Sequence, residues 1–269
     1  MKGIADPVIL GIVEGLTEFL PVSSTGHLIL ASALLGYDEA RWATFNIVIQ
    51  LGAILAVVVL YWRTFWKVAT GLVAADPRSW RFLRNILLAF LPAVAIGLVL
   101  HRQIEAMLSR PDIVAVALIV GGIAILVIER FAPRGRITGV EDVPAGRTFG
   151  IGLIQCLAMV PGVSRSGATI MGALSLGIDR RTAAEFSFFL AVPTMLGATT
   201  LELVKNRETL LAGGGGVGPG TIAIGFVTAF LVALVVIRAF VGIISRHGFG
   251  PFAWYRIVAG TIALIALNR

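Results

Sequence analysis

Glu14-Gly-Leu-Thr-Glu18-Phe-Leu-Pro21-Val-Ser23-Ser24-Thr25-Gly26-His27 places two carboxylates, three hydroxyls and an imidazole inside a run otherwise apolar enough to sit in a lipid bilayer. Ionisable groups are costly at that depth and mark a functional site by default. Pro21 and the Ser-Ser-Thr-Gly cluster break the run into two half-helices, about 8–20 and 24–35. Irregular backbone within a membrane is tolerated only where protein or water covers it, so the stretch is expected to form a re-entrant hairpin.

The rest of the chain supports a membrane setting. Of 269 residues, 57% are hydrophobic and 14% charged, and the mean hydropathy is +0.92. Soluble proteins carry roughly 25% charged residues. The net charge of +7 comes from Lys and Arg in the connections between apolar runs, which is the pattern of cytoplasmic loops rather than of a nucleic-acid-binding face. A single cysteine, Cys156, excludes an internal disulfide and a multi-cysteine metal site. Asp6, Glu14 and Glu18 make the first apolar run unlike a cleavable signal peptide.

Three spanning helices are expected after the first hairpin, around 45–62, 85–100 and 113–128, with Trp62, Trp66 and Trp80 at interfacial positions. The second half then repeats the first. A shift of 141 positions sets Glu14 on Gln155, Val22-Ser23 on Val163-Ser164, Ser24 on Arg165, Thr25-Gly26 on Ser166-Gly167 and Phe45 on Phe186. Shifts of 140 and 138 set Ala89-Phe90-Leu91 on Ala229-Phe230-Leu231 and Ile119-Val120 on Ile257-Val258. The expected architecture is an all-α polytopic membrane protein, one membrane domain over 1–269. Repeat one covers 1–140 with a hairpin at about 8–35, and repeat two covers 141–269 with a hairpin at about 149–177. One hairpin and three spans per half reverse the orientation of the second half, giving an inverted-topology repeat with its site near the midplane. The basic connections 63–84, 130–147 and 238–256 fall on one face, predicted to be cytoplasmic. Both termini, the mouth of the first hairpin and a glycine-rich loop at 213–216 are then outside.

Glu14 and Glu18 are one helical turn apart, about 6 Å on a shared face. Such a pair calls for a divalent metal, a shared proton or the guanidinium of Arg165. One of Ser23, Ser24 and Thr25 is expected to cap the second half-helix. His27 is within a turn of Ser24, where it could act as base or nucleophile. In the second hairpin, Pro161-Gly-Val-Ser164-Arg165-Ser166-Gly167-Ala-Thr169 presents a planar fork suited to a phosphate oxyanion beside an open helix N-terminus. Ser164, Ser166 and Gly167, with Ser23 and Thr25 opposite, are candidate phosphate contacts. Gln155 and Met159 stand where the first hairpin has its glutamates, so one half is read as catalytic and the other as substrate-holding.

These two segments closely resemble the signatures of the bacterial undecaprenyl-diphosphate phosphatase family, also called the bacitracin-resistance protein family. The similarity extends to Glu185-Phe186-Ser187 and Ala191-Val192-Pro193. The resemblance implies an inner-membrane enzyme that removes the terminal phosphate of undecaprenyl diphosphate, recycling the lipid carrier for peptidoglycan and other envelope polymers. It implies that Glu14 and Glu18 serve a divalent cation (Mg2+ or Ca2+), that Ser24 and His27 are the nucleophile and base candidates, and that Arg165 binds phosphate. It also implies an outward-opening site and a homodimer. The rival expectation is a secondary transporter or lipid flippase, for which inverted repeats and buried carboxylates are usual. Ser24, His27 and Arg165 together favour phosphoryl transfer.

Overall fold

The computed structural model describes residues 4–36, 39–108, 110–133, 135–205 and 217–267. The expected glycine-rich loop at 213–216 lies outside the described residues. Among the described residues twelve α-helices run in order: α1 Ala5–Thr17, α2 Ser24–Leu35, α3 Glu39–Leu60, α4 Trp62–Val73, α5 Pro77–Val99, α6 His101–Leu108, α7 Pro111–Phe131, α8 Ala145–Gln155, α9 Arg165–Ser175, α10 Arg180–Lys205, α11 Pro219–His247 and α12 Gly250–Leu267. Short 3-10 turns occupy Val140–Asp142 and Cys156–Met159. No strand occurs among the described residues; a lone bridge joins Ile137 to Ile178.

Among the described residues five helices, α5, α7, α10, α11 and α12, are long and apolar enough to cross a membrane, and α3 with α4, bent by 71°, would count as a sixth if the pair is one span. Their surface is arranged for lipid. Leu87, Leu91, Val120, Ile123, Val127, Val235 and Ile262 are exposed, while Glu14, Asn85, Thr148, Gln155, Thr169 and Ser187 are buried. An apolar outer surface over an interior that carries polar side chains among its hydrophobic core suits a lipid setting.

Three connections differ from the expected loops. The basic stretch 63–84 is helical for most of its length: α4 continues from α3 after a bend at Tyr61, and α5 starts at Pro77. Pro77 suits the first helical position, and the Asp76 side chain accepts from the backbone N–H of Arg78 and Ser79 at 3.3 and 3.0 Å. The stretch between the second and third expected spans holds α6, His101–Leu108. The expected basic connection 238–256 is not a loop. Arg238 lies within α11, and Arg256 lies within α12 at 1% exposure. A window of hydropathy cannot separate an arginine in a loop from one buried in the helix that follows it.

Helix pairing is close and reciprocal. A Cβ on Gly11 of α1 would fall 2.7 Å from the Gly225 carbonyl oxygen of α11, and one on Gly152 of α8 would fall 2.5 Å from the Ala89 carbonyl oxygen of α5. Between α7 and α12, a Cβ on Gly122 would meet the Ala253 oxygen at 2.7 Å, and one on Gly260 would meet the Ala115 oxygen at 2.7 Å. Small residues let membrane helices approach at backbone contact.

The Asp76 carboxyl, outside the spans, is held below the ordinary carboxylate range, chiefly by the Ser79 hydroxyl donating at 2.8 Å, then by the backbone N–H of Ser79. A depressed folded-state value gives stability that is complete above the unfolded pKa and lost as pH falls through the folded one. Asp76→Ala is therefore expected to lower the thermal midpoint in detergent at neutral pH, with the two proteins converging as the pH drops below the carboxylate range.

Candidate active site at two helix–turn–helix tips

Two broken segments meet in the interior. In the first, α1 ends at Thr17 and the chain turns through Glu18 to Ser23 before α2 begins at Ser24. In the second, α8 passes through the 3-10 turn Cys156–Met159 to Ser164, and α9 begins at Arg165. Ser23 and Ser164 both have positive φ, 72° and 77°. Their hydroxyls cap the helix that follows, accepting from Gly26 N at 3.3 Å and Gly167 N at 3.0 Å. Non-glycine residues with positive φ are strained and concentrate at functional sites.

This backbone turns Ser24 and Arg165 toward a cavity of about 290 Å3, also lined by Glu18, Ser23, Thr25 and Ser164. Arg165 Nη2 donates to Glu18 Oε1 at 2.7 Å, and its Nη1 donates to the Ser187 carbonyl at 2.9 Å. The guanidinium also stands 5.9 Å over the Phe19 ring. The other oxygen of Glu18, Oε2, accepts a hydrogen bond from Ser24 Oγ. One carboxylate thus holds a serine hydroxyl from its own tip and an arginine from the opposite one. Two helix N-termini and a guanidinium at one cavity are features that would suit an anion. A serine hydroxyl on a carboxylate is the activated-nucleophile pattern.

Glu14 is fully buried, and neither carboxylate oxygen has a hydrogen-bond partner. Its carboxyl faces that of Glu18. Among the described residues no three His, Cys, Asp or Glu side chains gather as a ligand set. Glu14 does not line the cavity, and the Glu18 oxygens are taken by Ser24 and Arg165; a hard divalent cation takes one or two carboxylates with water and phosphate oxygens, and Glu14 and Glu18 are the carboxylates that would hold one here.

His27 is placed otherwise than expected. Its Nδ1 donates to the Ser23 carbonyl at 2.7 Å, and its Nε2 pairs with the Tyr255 hydroxyl at 2.7 Å, with the two rings stacked 5.6 Å apart. The imidazole therefore braces the tip and leaves Ser24 to Glu18. Ser166 and Gly167 are buried but do not line the cavity. Ser166 Oγ donates to the Leu20 carbonyl at 2.7 Å and so links the two tips, while the Gly167 N–H is taken by the Ser164 cap. Gln50 of α3 and Thr194 and Met195 of α10 also line the cavity. For Gln50 and Thr194 the sequence offers one weak signal, a polar side chain in an otherwise apolar span; for Met195 it offers none.

Fold and site together define a multi-pass helical membrane protein with a polar centre built from two broken helices. Residues 7–262 match the family described as Bacitracin resistance protein BacA, and the chain belongs to that family. It is 64% identical over 264 residues to an undecaprenyl-diphosphatase of Novosphingobium aromaticivorans, covering 98% of each chain. It is 62% identical over 260 residues to one of Rhizorhabdus wittichii, covering 97% of this chain and 96% of the relative. To one of Paracoccus denitrificans it is 52% identical over 260 residues, covering 96% and 95%.

Ser166→Ala removes the side-chain link between the tips and leaves the Leu20 carbonyl to the Val22 N–H alone, at 2.7 Å. It is expected to cost about 0.5–1.5 kcal/mol, read as a lower unfolding midpoint of the purified protein.

Proposed function

We infer that this chain is an undecaprenyl-diphosphatase of the bacterial inner membrane, releasing inorganic phosphate and undecaprenyl phosphate from undecaprenyl diphosphate. The observation that carries the chemistry is the sharing of Glu18 between Ser24 Oγ and Arg165 Nη2 at the cavity. A secondary transporter or flippase on the same scaffold is not favoured, since the relatives' names point to hydrolysis.

In the reaction we envisage, the diphosphate enters the cavity with its terminal phosphoryl against Arg165 and the N-termini of α2 and α9. Ser24 Oγ attacks the terminal phosphorus while its proton passes to Glu18 Oε2. The bond from that phosphorus to the bridging oxygen breaks, and undecaprenyl phosphate leaves. Glu18 gives that proton to the departing undecaprenyl phosphate; a water then attacks the phosphoserine and passes a proton to Glu18, the bond from phosphorus to Ser24 Oγ breaks, and Glu18 returns the proton to Ser24 Oγ as inorganic phosphate departs. Transfers of this kind depend mainly on positioning and on neutralising charge spread over the phosphoryl oxygens. A divalent cation, Mg2+ or Ca2+, held at Glu14 and Glu18 supplies part of that neutralisation when bound. Glu18 replaces His27 as the base in this scheme because the His27 nitrogens are engaged by Ser23 and Tyr255.

The inverted repeat is part of this reading. It is supported by the equal caps at Ser23 and Ser164 and by the reciprocal contacts of Gly122 with Ala253 and Gly260 with Ala115, which interchange under a shift of 138. The broken segments α1–α2 and α8–α9 are then re-entrant hairpins entering from opposite faces. Arg63, Lys67, Arg78, Arg81 and Arg84 favour a cytoplasmic location for that face, with both termini and the mouth of the first hairpin outside. Arg256 no longer contributes to this charge bias. A homodimer rests on the family resemblance alone and is checked by cross-linking in native membranes.

Phosphate release from a long-chain polyprenyl diphosphate by detergent-purified protein tests the reading. Glu18→Gln, Ser24→Ala and Arg165→Ala are each expected to lower kcat by about 10²-fold or more. Ser24→Ala with near-normal turnover, beside an inactive His27→Ala, would transfer the nucleophile to His27. Chelation is expected to suppress release and added Mg2+ or Ca2+ to restore it, with Glu14→Gln requiring more cation.

A further inference from the structure

Arg256 is a guanidinium at 1% exposure without a carboxylate among its hydrogen-bond partners. Its five N–H groups are all donated to backbone carbonyls. Nη1 reaches Pro21 O and Val163 O, each at 2.9 Å. Nη2 reaches Gly162 O at 2.9 Å and Ala117 O at 3.1 Å, and Nε reaches Leu118 O at 3.3 Å. Pro21 belongs to the first tip, three residues before Ser24. Gly162 and Val163 belong to the second, immediately before the strained Ser164 and Arg165. Carbonyls in a tight turn at membrane depth need donors, and one planar fork supplies them for both turns.

The surroundings are built to admit this group. A Cβ on Gly121 would fall 2.0 Å from Nη2, and one on Gly167 would fall 3.4 Å from Nη1. Arg256 does not line the cavity. The adjacent residue on α12, Tyr255, holds His27 Nε2. α12 therefore grips the first tip at two points and the second at one.

We propose that Arg256 is a positioning residue for phosphoryl transfer. By fixing Pro21 and Gly162–Val163 to a single rigid plane, it sets the spacing of Ser24 and Glu18 from Arg165. The proposal rests on the phosphatase reading, and wild-type release of phosphate from a polyprenyl diphosphate separates the two: no release overturns that reading before any Arg256 variant is considered.

With wild type active, Arg256→Gln is expected to lower kcat about 10²-fold, the scale of an ångström-level misplacement, with KM changed by less than about threefold. Arg256→Lys, which keeps the charge and some of the donors, is expected to recover part of kcat. Spin labels on Leu16 and Leu157, both exposed, in a Cys156→Ser background should show a broadened inter-tip distance distribution in Arg256→Gln by double electron–electron resonance. Ile257→Ala, a packing change on the same helix, should lower the unfolding midpoint without broadening that distribution. Should Arg256→Gln fail to fold, Gly121→Ala, which retains the arginine but crowds Nη2, is expected to give the same loss of kcat. Wild-type kcat in Arg256→Gln or Gly121→Ala, or a kcat loss with an unchanged distance distribution, overturns the assignment.

Discussion

The site depends on one shared carboxylate. Glu18 lies at 6% side-chain exposure and Arg165 at 17%, so their contact is made in a setting where bulk water screens little. Taking both charges out of water is costly, and the attraction repays that cost only with good geometry and further hydrogen bonds. Those bonds are present: Ser24 on the second oxygen of Glu18, and Ser187 O on the other guanidinium nitrogen of Arg165. Removing one partner of a buried pair costs about 3–5 kcal/mol through the charge left behind. Because the partners come from different halves of the chain, everything that holds the two tips in register also holds the chemistry in place. Ser166 on Leu20 O and Arg256 on Pro21 O, Gly162 O and Val163 O are those elements.

The two strained serines show how the backbone serves that arrangement. A positive φ at a residue other than glycine costs of order 1–3 kcal/mol. Glycine would remove the strain at Ser23 and Ser164, but it would also remove the hydroxyl that satisfies the first-turn N–H of Gly26 or Gly167. The turn places the next residue, Ser24 or Arg165, at the mouth of a helix N-terminus. Strain, cap and side-chain placement are therefore one device, used twice.

Much of this was legible in the sequence because it is written in local composition. The polar run from Glu14 to His27, the arginine after Ser164, and the three later apolar runs of the first half each stand out against their neighbours, and helices occur at all of them. Hydropathy located the spans but not their ends. α5 begins at Pro77 because Asp76 caps it, and the charges of the first two turns had hidden that start. The pairings across the site were less legible. Spacing put His27 near Ser24, whereas the hairpin turn gives Ser24 to Glu18 and carries His27 toward Tyr255, 228 positions away. Arg256 read as a loop charge because nothing within its own helix shows that five carbonyls from three other segments converge on it.

Arg256 also bears on why the two halves diverge. Under the shift of 138 that interchanges Gly122 with Gly260 and Ala115 with Ala253, its counterpart is Leu118, and Leu118 O is one of its own acceptors. On the inverted-repeat reading, a residue that touches its own counterpart lies beside the axis relating the halves. Space there is limited: the guanidinium already occupies the room a Cβ on Gly121 would need. A second arginine from Leu118 would bring two cations together in a low-dielectric interior with one set of carbonyls to share. Two copies of the same sequence cannot both supply the clamp, so a duplicated chain with identical halves would either leave the tips unheld or bury like charges. Asymmetry at this axis is a physical requirement of holding two tips with one group. It is consistent with Ser24 having Arg165 as its counterpart, and Glu14 having Gln155.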